Sequence, residues 1–485
     1  MIVYAIEPSQ PSYLLDEAVY LTLTVENQGS ETVEIPDPLH EDNHEPEFEI
    51  ERLEPAAKAV GISNWSAMNG PQAPPPPLQR IPLSGGGKWQ EQIQVNSFLP
   101  PLREAGEYQV GSSITVETAQ VRAPKKTIQI VRPVPVSIAI GQGTRPINQG
   151  EGQLVFLQKG DTSTAVYSAR AVETDPSNSE VVLRTLMRRA TASANASDIL
   201  SPSSNAPVYA DLTRWILWRE GAKLKSISTL ASEPVELQLP QQPDSLVRPA
   251  LTTKTGPALV LSIHGKALSL ISVARKLEAL PELRWTAELP AVPASITATI
   301  SPVALGDKTY VAMLAAADSG FDLYCAPFTV TGLGAFEKIH VADGKYLSNT
   351  PVVAMVSNKG TVHVAALRSD ASKDKEVRLS RVEALFGGED NPEPKLSVQS
   401  LPALEKPVTR GALLFVASNE GVPLRREVVV ESGEDLWNLT GGGAFQPILP
   451  RRTFPSPLTL MAGDELSYVL FQNAQGAVHF EPLNR

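Results

Sequence analysis

The stretch that decides the fold is Ala258–Ser272, ALVLSIHGKALSLIS. Two apolar runs flank Gly265, and both are rich in the β-branched and leucine residues that fit a strand. A glycine between two such runs indicates a short turn, because glycine readily adopts the positive φ angles of hairpin turns. The stretch therefore predicts a β-hairpin.

The same pattern occurs seven times after residue 140. The turn glycines lie 40 to 61 residues apart, and they are Gly160, Gly221, Gly265, Gly320, Gly360, Gly421 and Gly476. This spacing is typical of four-stranded propeller blades, with each hairpin in the middle of a blade. One blade cannot cover both faces of its own sheet, so blades pack radially. We predict an all-β chain with a C-terminal seven-bladed β-propeller over residues 133–485. A pair of further β-sandwiches is the alternative.

Two details complete this prediction. The last hairpin leaves its blade one outer strand short, so Val134–Ile140 is expected to supply that strand and to clasp the first blade to the last. Asp175–Ser197 departs from the β pattern, since Asp175-Pro176 can begin a helix and an apolar group follows at 181–187. We expect a short helical insertion near residues 175–197.

Residues 1–132 have short alternating strands and no helical period. Ala18–Glu26 places Val19, Leu21, Leu23 and Val25 on one face, and Asn27–Ser30 follows as a turn signal. Strands at this spacing predict an antiparallel β-sandwich. The boundary is expected at Arg132–Pro135, where two prolines stiffen the chain.

One run in this region resembles immunoglobulin-like domains. Glu104–Val110, EAGEYQV, is similar to the acidic-Ala-Gly-x-Tyr-x-Cys run of that family. The resemblance implies an immunoglobulin-like sandwich in which the hydroxyl of Tyr108 ties a corner of the chain. Val110 stands at the family's cysteine position, so the resemblance implies no disulfide there.

Composition excludes several classes of protein. The chain has 485 residues with a net charge of −11, which argues against general affinity for nucleic acid or anionic membranes. Cys325 is the single cysteine, so an intrachain disulfide and a cysteine-rich zinc site are excluded. Apolar runs are shorter than a membrane helix requires, and the first residues carry no signal peptide pattern. We therefore expect no membrane insertion. The first residues fit a chain that is made without a secretion signal, with synthesis in the cytoplasm, and they fit a trimmed secreted chain as well.

The strongest candidate for a metal site is His40–His44, HEDNH, which matches the H-E-x-x-H pattern of metalloproteases. Flanking prolines and Asp42 oppose the helix that this chemistry needs. A loop that binds Ca²⁺ or Zn²⁺ through His40, Asp42 and His44 is the alternative. Ten acidic residues and one basic residue lie between Glu31 and Glu54, which suits a cation or a basic partner. A solvated acidic edge that discourages strand aggregation explains the same composition.

Other candidate chemistry depends on distant residues. His264, His363 and His479 lie in predicted hairpins and would form a metal site if they converged on a central channel. Cys325 lies in an apolar strand and is expected to be an inert core thiol. Motifs for a nucleotide-binding loop, a nucleophile elbow or a dinucleotide site are absent from the sequence.

Three functions remain open from the sequence. The first is a non-enzymatic binding scaffold that holds a protein or glycan partner, as a component of a larger assembly. The second is a propeller hydrolase or lyase for glycans, with catalytic carboxylates brought together from several blades. The third is a divalent-cation module in the acidic segment 31–54. The sequence favours the first, because the architecture comes without a recognisable catalytic set.

Overall fold

The structure is a computed structural model of the chain, and it contains strands but no helix in the residues that it describes. These residues are 1–15, 17–37, 46–53, 58–63, 79–95, 104–131, 135–141, 152–160, 163–175, 180–200, 215–228, 233–251, 258–273, 281–300, 308–371, 377–387, 393–417, 423–433, 435–440, 443–449, 458–462, 466–472 and 478–483. They form two compact units. One is Met1–Pro133 with Thr185–Met187, and the other is Val134–Arg184 with Arg188–Arg485.

The first unit contains eleven described strands. They are β1 (Ile2–Pro8), β2 (Ser12–Leu14), β3 (Tyr20–Asn27), β4 (Val33–Pro36), β5 (Glu47–Arg52), β6 (Lys58–Ser63), β7 (Arg80–Leu83), β8 (Lys88–Gln94), β9 (Gly106–Val116), β10 (Ala119–Arg122) and β11 (Lys126–Val131). One sheet has the order β1-β3-β8, a second has the order β2-β11-β9-β5-β6 with β10 on β9, and β4 pairs with β7. Every pairing is antiparallel except that of β2 with β11.

Both large sheets of this unit contribute to one apolar core. Leu21, Leu23 and Val25 alternate inward along β3, and Val110 and Ile128 face them from the second sheet. Alternation with a period of two is what places all of these side chains on the same side of each sheet. The alternating pattern in the sequence therefore predicted this face of the core correctly.

Polar side chains hold the corners of the first unit. The Tyr108 hydroxyl donates a hydrogen bond of 2.8 Å to the Glu104 carbonyl, four residues upstream. The buried Asn27 side chain accepts a bond from the Gly29 N–H at 3.0 Å and donates to the carbonyls of Glu31 and Leu83. Asn27 thus closes the predicted turn and ties it to a neighbouring strand.

The second unit contains seven described sheets, which follow one another along the chain. The first sheet contains β12 (Pro135–Gly141), β13 (Gly152–Lys159), β14 (Ser163–Asp175) and β15 (Glu180–Ser193), and the second contains β16 (Ala196–Leu200), β17 (Trp215–Glu220), β18 (Lys223–Ser228) and β19 (Val235–Gln238). The third sheet contains β20 (Ser245–Leu251), β21 (Ala258–His264), β22 (Ala267–Val273) and β23 (Glu282–Glu288), and the fourth contains β24 (Ser295–Ile300), β25 (Thr309–Ala316), β26 (Phe321–Thr329), β27 (Gly332–Leu333) and β28 (Glu337–Val341). The fifth sheet contains β29 (Lys345–Tyr346), β30 (Val353–Val356), β31 (Val362–Ala371), β32 (Val377–Phe386) and β33 (Lys395–Ser400). The sixth contains β34 (Val408–Ala417), β35 (Pro423–Ser432), β36 (Asp435–Leu439) and β37 (Phe445–Leu449), and the seventh contains β38 (Thr459–Ala462), β39 (Ser467–Gln472) and β40 (Val478–Pro482).

The sheets of the second unit pack face to face in series. Ile216 and Trp218 of β17 belong to the core shared with the first sheet, whereas Leu217 between them belongs to the core shared with the third. Similar cores lie between each later sheet and the next. The initial strands of successive sheets also contact one another, from β12 through β16, β20, β24, β30 and β34 to β38. Stacked antiparallel sheets with their first strands together are the arrangement of blades in a β-propeller.

The glycine hairpins predicted from the sequence are confirmed as strand pairs, with one difference in position. Gly265 joins the two middle strands of its sheet, as predicted. Gly360 instead lies between β30 and β31, before the middle pair of strands β31 and β32. Gly421 and Gly476 lie outside the described residues. Gly320 requires glycine most clearly, because it has a φ of +82° and an added Cβ would lie 2.0 Å from the Val341 carbonyl oxygen.

Two sequence predictions about the second unit are wrong. The helix expected near 175–197 is replaced by β15, a long strand that completes the first sheet. Its apolar residues are compatible with either period, and pairing with the neighbouring strand β14 selects the extended conformation. The strand at 134–140 is not an outer clasp, because β12 pairs with β13 as the initial strand of the first sheet.

We predict that Tyr108→Phe lowers the free energy of unfolding of the first unit by about 1 kcal/mol, because it removes one hydrogen bond from a buried side chain. The measurement is urea unfolding of the full chain, followed by hydrogen exchange in peptides from residues 104–131. Tyr20→Phe is the matched control, since its hydroxyl makes only a 3.4 Å bond to Gln94. An equal loss in both variants would contradict the assigned role of Tyr108.

Candidate functional site

The most developed polar site in the described residues is a charged cluster between the fifth and sixth sheets. Glu383 on β32 accepts hydrogen bonds from His363 Nδ1 at 2.8 Å and from Arg426 Nε and Nη2 at 3.0 and 3.2 Å. His363 lies on the neighbouring strand β31, whereas Arg426 comes from β35 of the next sheet. The carboxylate therefore joins two sheets.

Strand alternation explains why these side chains meet. Leu379 and Glu383 lie on the same face of β32, and Leu379 belongs to the apolar core between the fifth and sixth sheets. Phe415 of β34 is in that core and packs edge-on against the His363 ring, at 6.2 Å between ring centres. The charged cluster thus forms the end of an otherwise apolar interface.

The cluster keeps Glu383 ionised. Burial by itself would raise the pKa of this carboxyl, but the hydrogen bonds and charges of His363 and Arg426 lower it to about 2. Arg381 lies on the same face of β32. Burial lowers its pKa and the Arg426 charge adds to that effect, while Glu383 opposes it. Glu383 therefore bonds to the guanidinium of Arg426, whereas its charge acts on Arg381 without a described hydrogen bond between them.

A second polar cluster lies on the fourth sheet. Asp322 is buried, and its carboxylate accepts bonds from His340 at 2.7 Å, Lys338 at 2.9 Å and the Tyr324 hydroxyl at 3.2 Å. Burial would raise the pKa of Asp322, but the bonds from Lys338 and His340 lower it. Both carboxylates are therefore stable anions that position neighbouring cations and a histidine.

The proposed metal ligands His40, Asp42 and His44 lie outside the described residues, so the predicted cation site stays a prediction. Six acids of the segment 31–54 are described, namely Glu31, Glu34, Asp37, Glu47, Glu49 and Glu51. Of these, Glu49 and Glu51 face Lys125 at 3.6 and 3.9 Å. Among the residues that the structure describes, no group of three or more His, Cys, Asp or Glu side chains is placed to hold a metal ion.

The predicted convergence of histidines is not observed for the two that can be followed. His264 Nδ1 is 3.0 Å from the Gln242 carbonyl in the link before β20, whereas His363 binds Glu383 between the fifth and sixth sheets. The side chain of His479 is outside the described set. The sequence did not indicate the partnership of Glu383 with Arg426, because these residues belong to different sheets.

Cys325 is buried, and burial raises the pKa of its thiol to about 12. A thiol with this pKa has almost no thiolate at neutral pH and is a poor nucleophile. The position of Cys325 therefore agrees with the inert core thiol expected from the sequence.

One signal that the sequence analysis missed is a repeated link between sheets. Leu-Pro-x-x-Pro-x-Ser occurs at Leu239–Ser245 and again at Leu289–Ser295. The N–H groups of Leu239 and Leu289 donate to the carbonyls of Ala222 and Lys266, at 2.9 and 2.7 Å. Each leucine is buried and closes the outer strand of one sheet before the chain returns to the first strand of the next.

Comparison with known proteins leaves the function open. No protein-family model matches the chain, and no curated protein matches it. Among solved structures, the β-propeller domain of Myceliophteria thermophila Cps50 (Swd1) is 11% identical with a TM-score of 0.42, covering 73% of this chain and 99% of that one. The β-propeller domain of Vanderwaltozyma polyspora Nup133 is 8% identical with a TM-score of 0.37, covering 71% and 100%.

An enzyme is also among these structures. Penicillium chrysogenum α-L-arabinanase, solved with arabinobiose, is 9% identical with a TM-score of 0.33, covering 72% of this chain and 93% of that one. Such distant likenesses do not select a function. Within the described part of the chain, no helix is long and apolar enough to span a membrane.

We predict that Glu383→Gln lowers the free energy of unfolding at pH 7 by about 2 kcal/mol, because Arg426 and His363 lose the carboxylate to which both bond. Folding lowers the pKa of Glu383 from 4.5 to about 2, so its contribution is complete above pH 4.5 and is lost as the pH falls toward 2. The difference between wild type and variant should narrow over that range in denaturant titrations. Glu236→Gln, at an exposed pair with Lys223, is the control and should leave the midpoint unchanged. A difference that stays constant with pH would contradict this assignment.

We predict that Cys325 in the native chain does not react with a thiol reagent such as dithionitrobenzoate at pH 8, because burial keeps it protonated. One equivalent should react after unfolding in guanidinium chloride. The measurement is absorbance of the released thionitrobenzoate. Rapid reaction of the folded chain would contradict the buried position.

Proposed function

We propose that this protein is a non-enzymatic binding scaffold, in which an immunoglobulin-like sandwich is joined to a closed seven-bladed propeller that holds a protein partner. The seven described sheets and the contacts between successive initial strands support the number of blades. Closure of the ring would cover the outer faces of the first and last sheets, which series packing alone leaves open.

The corner at Tyr108 supports an immunoglobulin-like first unit. In that family a tyrosine near the start of a strand bonds to the backbone a few residues upstream. The bond from Tyr108 to Glu104 has this form, and Val110, two residues later, is fully buried where the family has cysteine. Apolar packing takes the place of the disulfide in this proposal.

The observation that carries the scaffold proposal is the state of Glu383. A glycan hydrolase needs one carboxyl whose pKa is raised so that it can donate a proton near neutral pH. Glu383 has the opposite property, since His363 and Arg426 occupy both of its oxygens and lower its pKa to about 2. Asp322 is held in the same way. In the described residues, the buried acids of the second unit serve to join strands and sheets.

The experiment that tests the scaffold proposal begins with the chain purified under mild conditions from its natural source. Co-purifying proteins are identified by mass spectrometry, and the complex is then rebuilt from separately purified components. We expect a complex of fixed stoichiometry in sedimentation velocity measurements, because a scaffold presents a defined surface.

A parallel assay tests the hydrolase alternative on a panel of glycans. We expect no turnover by the wild-type chain. Turnover that Glu383→Gln or Asp322→Asn abolishes, while Glu236→Gln does not, would contradict the scaffold proposal. Ca²⁺ or Zn²⁺ binding through His40, Asp42 and His44 remains a separate prediction.

A further inference from the structure

The outer strand of the fifth sheet, β33, is exposed along its whole length. All six of its residues are solvent-exposed, whereas the outer strand β23 of the third sheet has half-buried residues at alternate positions, including Leu283 and Trp285. Within the described residues, β33 pairs with β32 on one side and with no strand on the other. Such an edge offers a row of backbone donors and acceptors to another extended chain.

One face of β33 is apolar. Leu396 and Val398 are 39% and 43% exposed, and the residues opposite them on β32 are Ala384 and Val382, which are fully buried. Ala384 and Val382 belong to the core between the fourth and fifth sheets. The apolar face of β33 therefore continues this core outward to a strip of exposed side chains.

The other face of β33 is polar and carries excess positive charge. It presents Lys395, Ser397 and Gln399, and the Gln399 side chain accepts a 2.6 Å hydrogen bond from Arg381. Arg426 bonds to the carboxylate of Glu383, and the charge of that one carboxylate is also the nearby negative charge that acts on Arg381. The acidic Glu393 precedes the strand and is exposed. An acidic side chain of a partner would therefore meet unbalanced positive charge on this face.

We propose that β33 is a docking edge for an extended segment of a partner protein whose side chains alternate between apolar and acidic. The segment joins the fifth sheet as an additional strand, and its backbone bonds to the open side of β33. Its apolar residues pack on Leu396 and Val398, and its acidic residues face Lys395 and Arg381. This inference rests on the proposed scaffold function and assigns it a docking surface.

The test uses the full chain and three fluorescent peptides of about ten residues each. One alternates valine with glutamate, the second has the same composition arranged in two blocks, and the third alternates valine with lysine. Fluorescence anisotropy titrations give each dissociation constant. We expect the alternating acidic peptide to bind about tenfold more tightly than either of the others, since only it matches both faces of the edge.

Two variants with one control locate the binding surface. Val398→Glu should weaken binding of the acidic peptide about tenfold, because it places a charge on the apolar strip. Lys395→Glu should weaken it as well and favour the lysine peptide. Val292→Glu is the matched control, since Val292 is 59% exposed and lies in the link between the third and fourth sheets. Thermal unfolding of each variant checks that the fold is retained, and Leu396→Lys replaces Val398→Glu if it is not.

Equal binding of the alternating and block peptides would overturn the proposal, as would a Val398→Glu variant that binds like wild type. Self-association of the chain that Val398→Glu abolishes would also overturn it, because a second copy would then occupy the edge. A rebuilt partner complex that survives Val398→Glu would reject this docking edge and leave the scaffold function standing. Absence of any protein complex would reject the scaffold function itself.

Discussion

The second unit depends on one constraint, which is that its middle strands are apolar on both faces. Leu217 packs toward one neighbouring sheet, and Ile216 and Trp218 pack toward the other. Full burial of each such side chain is worth about 1.5 to 3 kcal/mol, so a sheet with an open face would lose much of its stability. When the sheets pack in series, each sheet covers an apolar face of the next. The links at Leu239 and Leu289 return the chain to the position where another first strand can begin.

The same packing between sheets determines where charged groups can be buried. Glu383, His363 and Arg426 lie at the end of an apolar core, where the side chain of Arg426 is 32% exposed and that of Glu383 only 11%. A buried ion pair gains little net stability over apolar packing, yet removal of one partner is costly. Such a cluster is therefore better suited to fixing how two sheets align than to strengthening their contact. The low pKa of Glu383 follows from that structural role.

Local signals in the sequence predicted the all-β class and the hairpins, and they failed where the answer depended on distant partners. The hairpin at Gly265 follows from a turn glycine between apolar runs, and the corner at Tyr108 follows from seven consecutive residues. The helix expected near 175–197 was wrong, because a run of valines, leucines and arginines suits a helix until a neighbouring strand is present. Glu383 and Arg426 belong to different sheets, so no local pattern connects them. The repeated Leu-Pro-x-x-Pro-x-Ser link was available in the sequence, and a search for repeats beyond the glycine turns would have found it.

The packing of sheets in the second unit also explains which of its strands are exposed. First strands lie together in a radial arrangement, and successive strands lie farther apart, so neighbouring sheets cover outer strands least. On β23 the alternation of exposed and half-buried residues persists, which is the expected result of partial cover. On β33 it is absent, although Leu396 and Val398 continue the apolar row of Val382 and Ala384. An edge strand under no other demand would carry charged residues at these positions to prevent unwanted pairing. Because Leu396 and Val398 remain 39% and 43% exposed beside the core of the fourth and fifth sheets, their presence on an open edge argues for a contact with a partner.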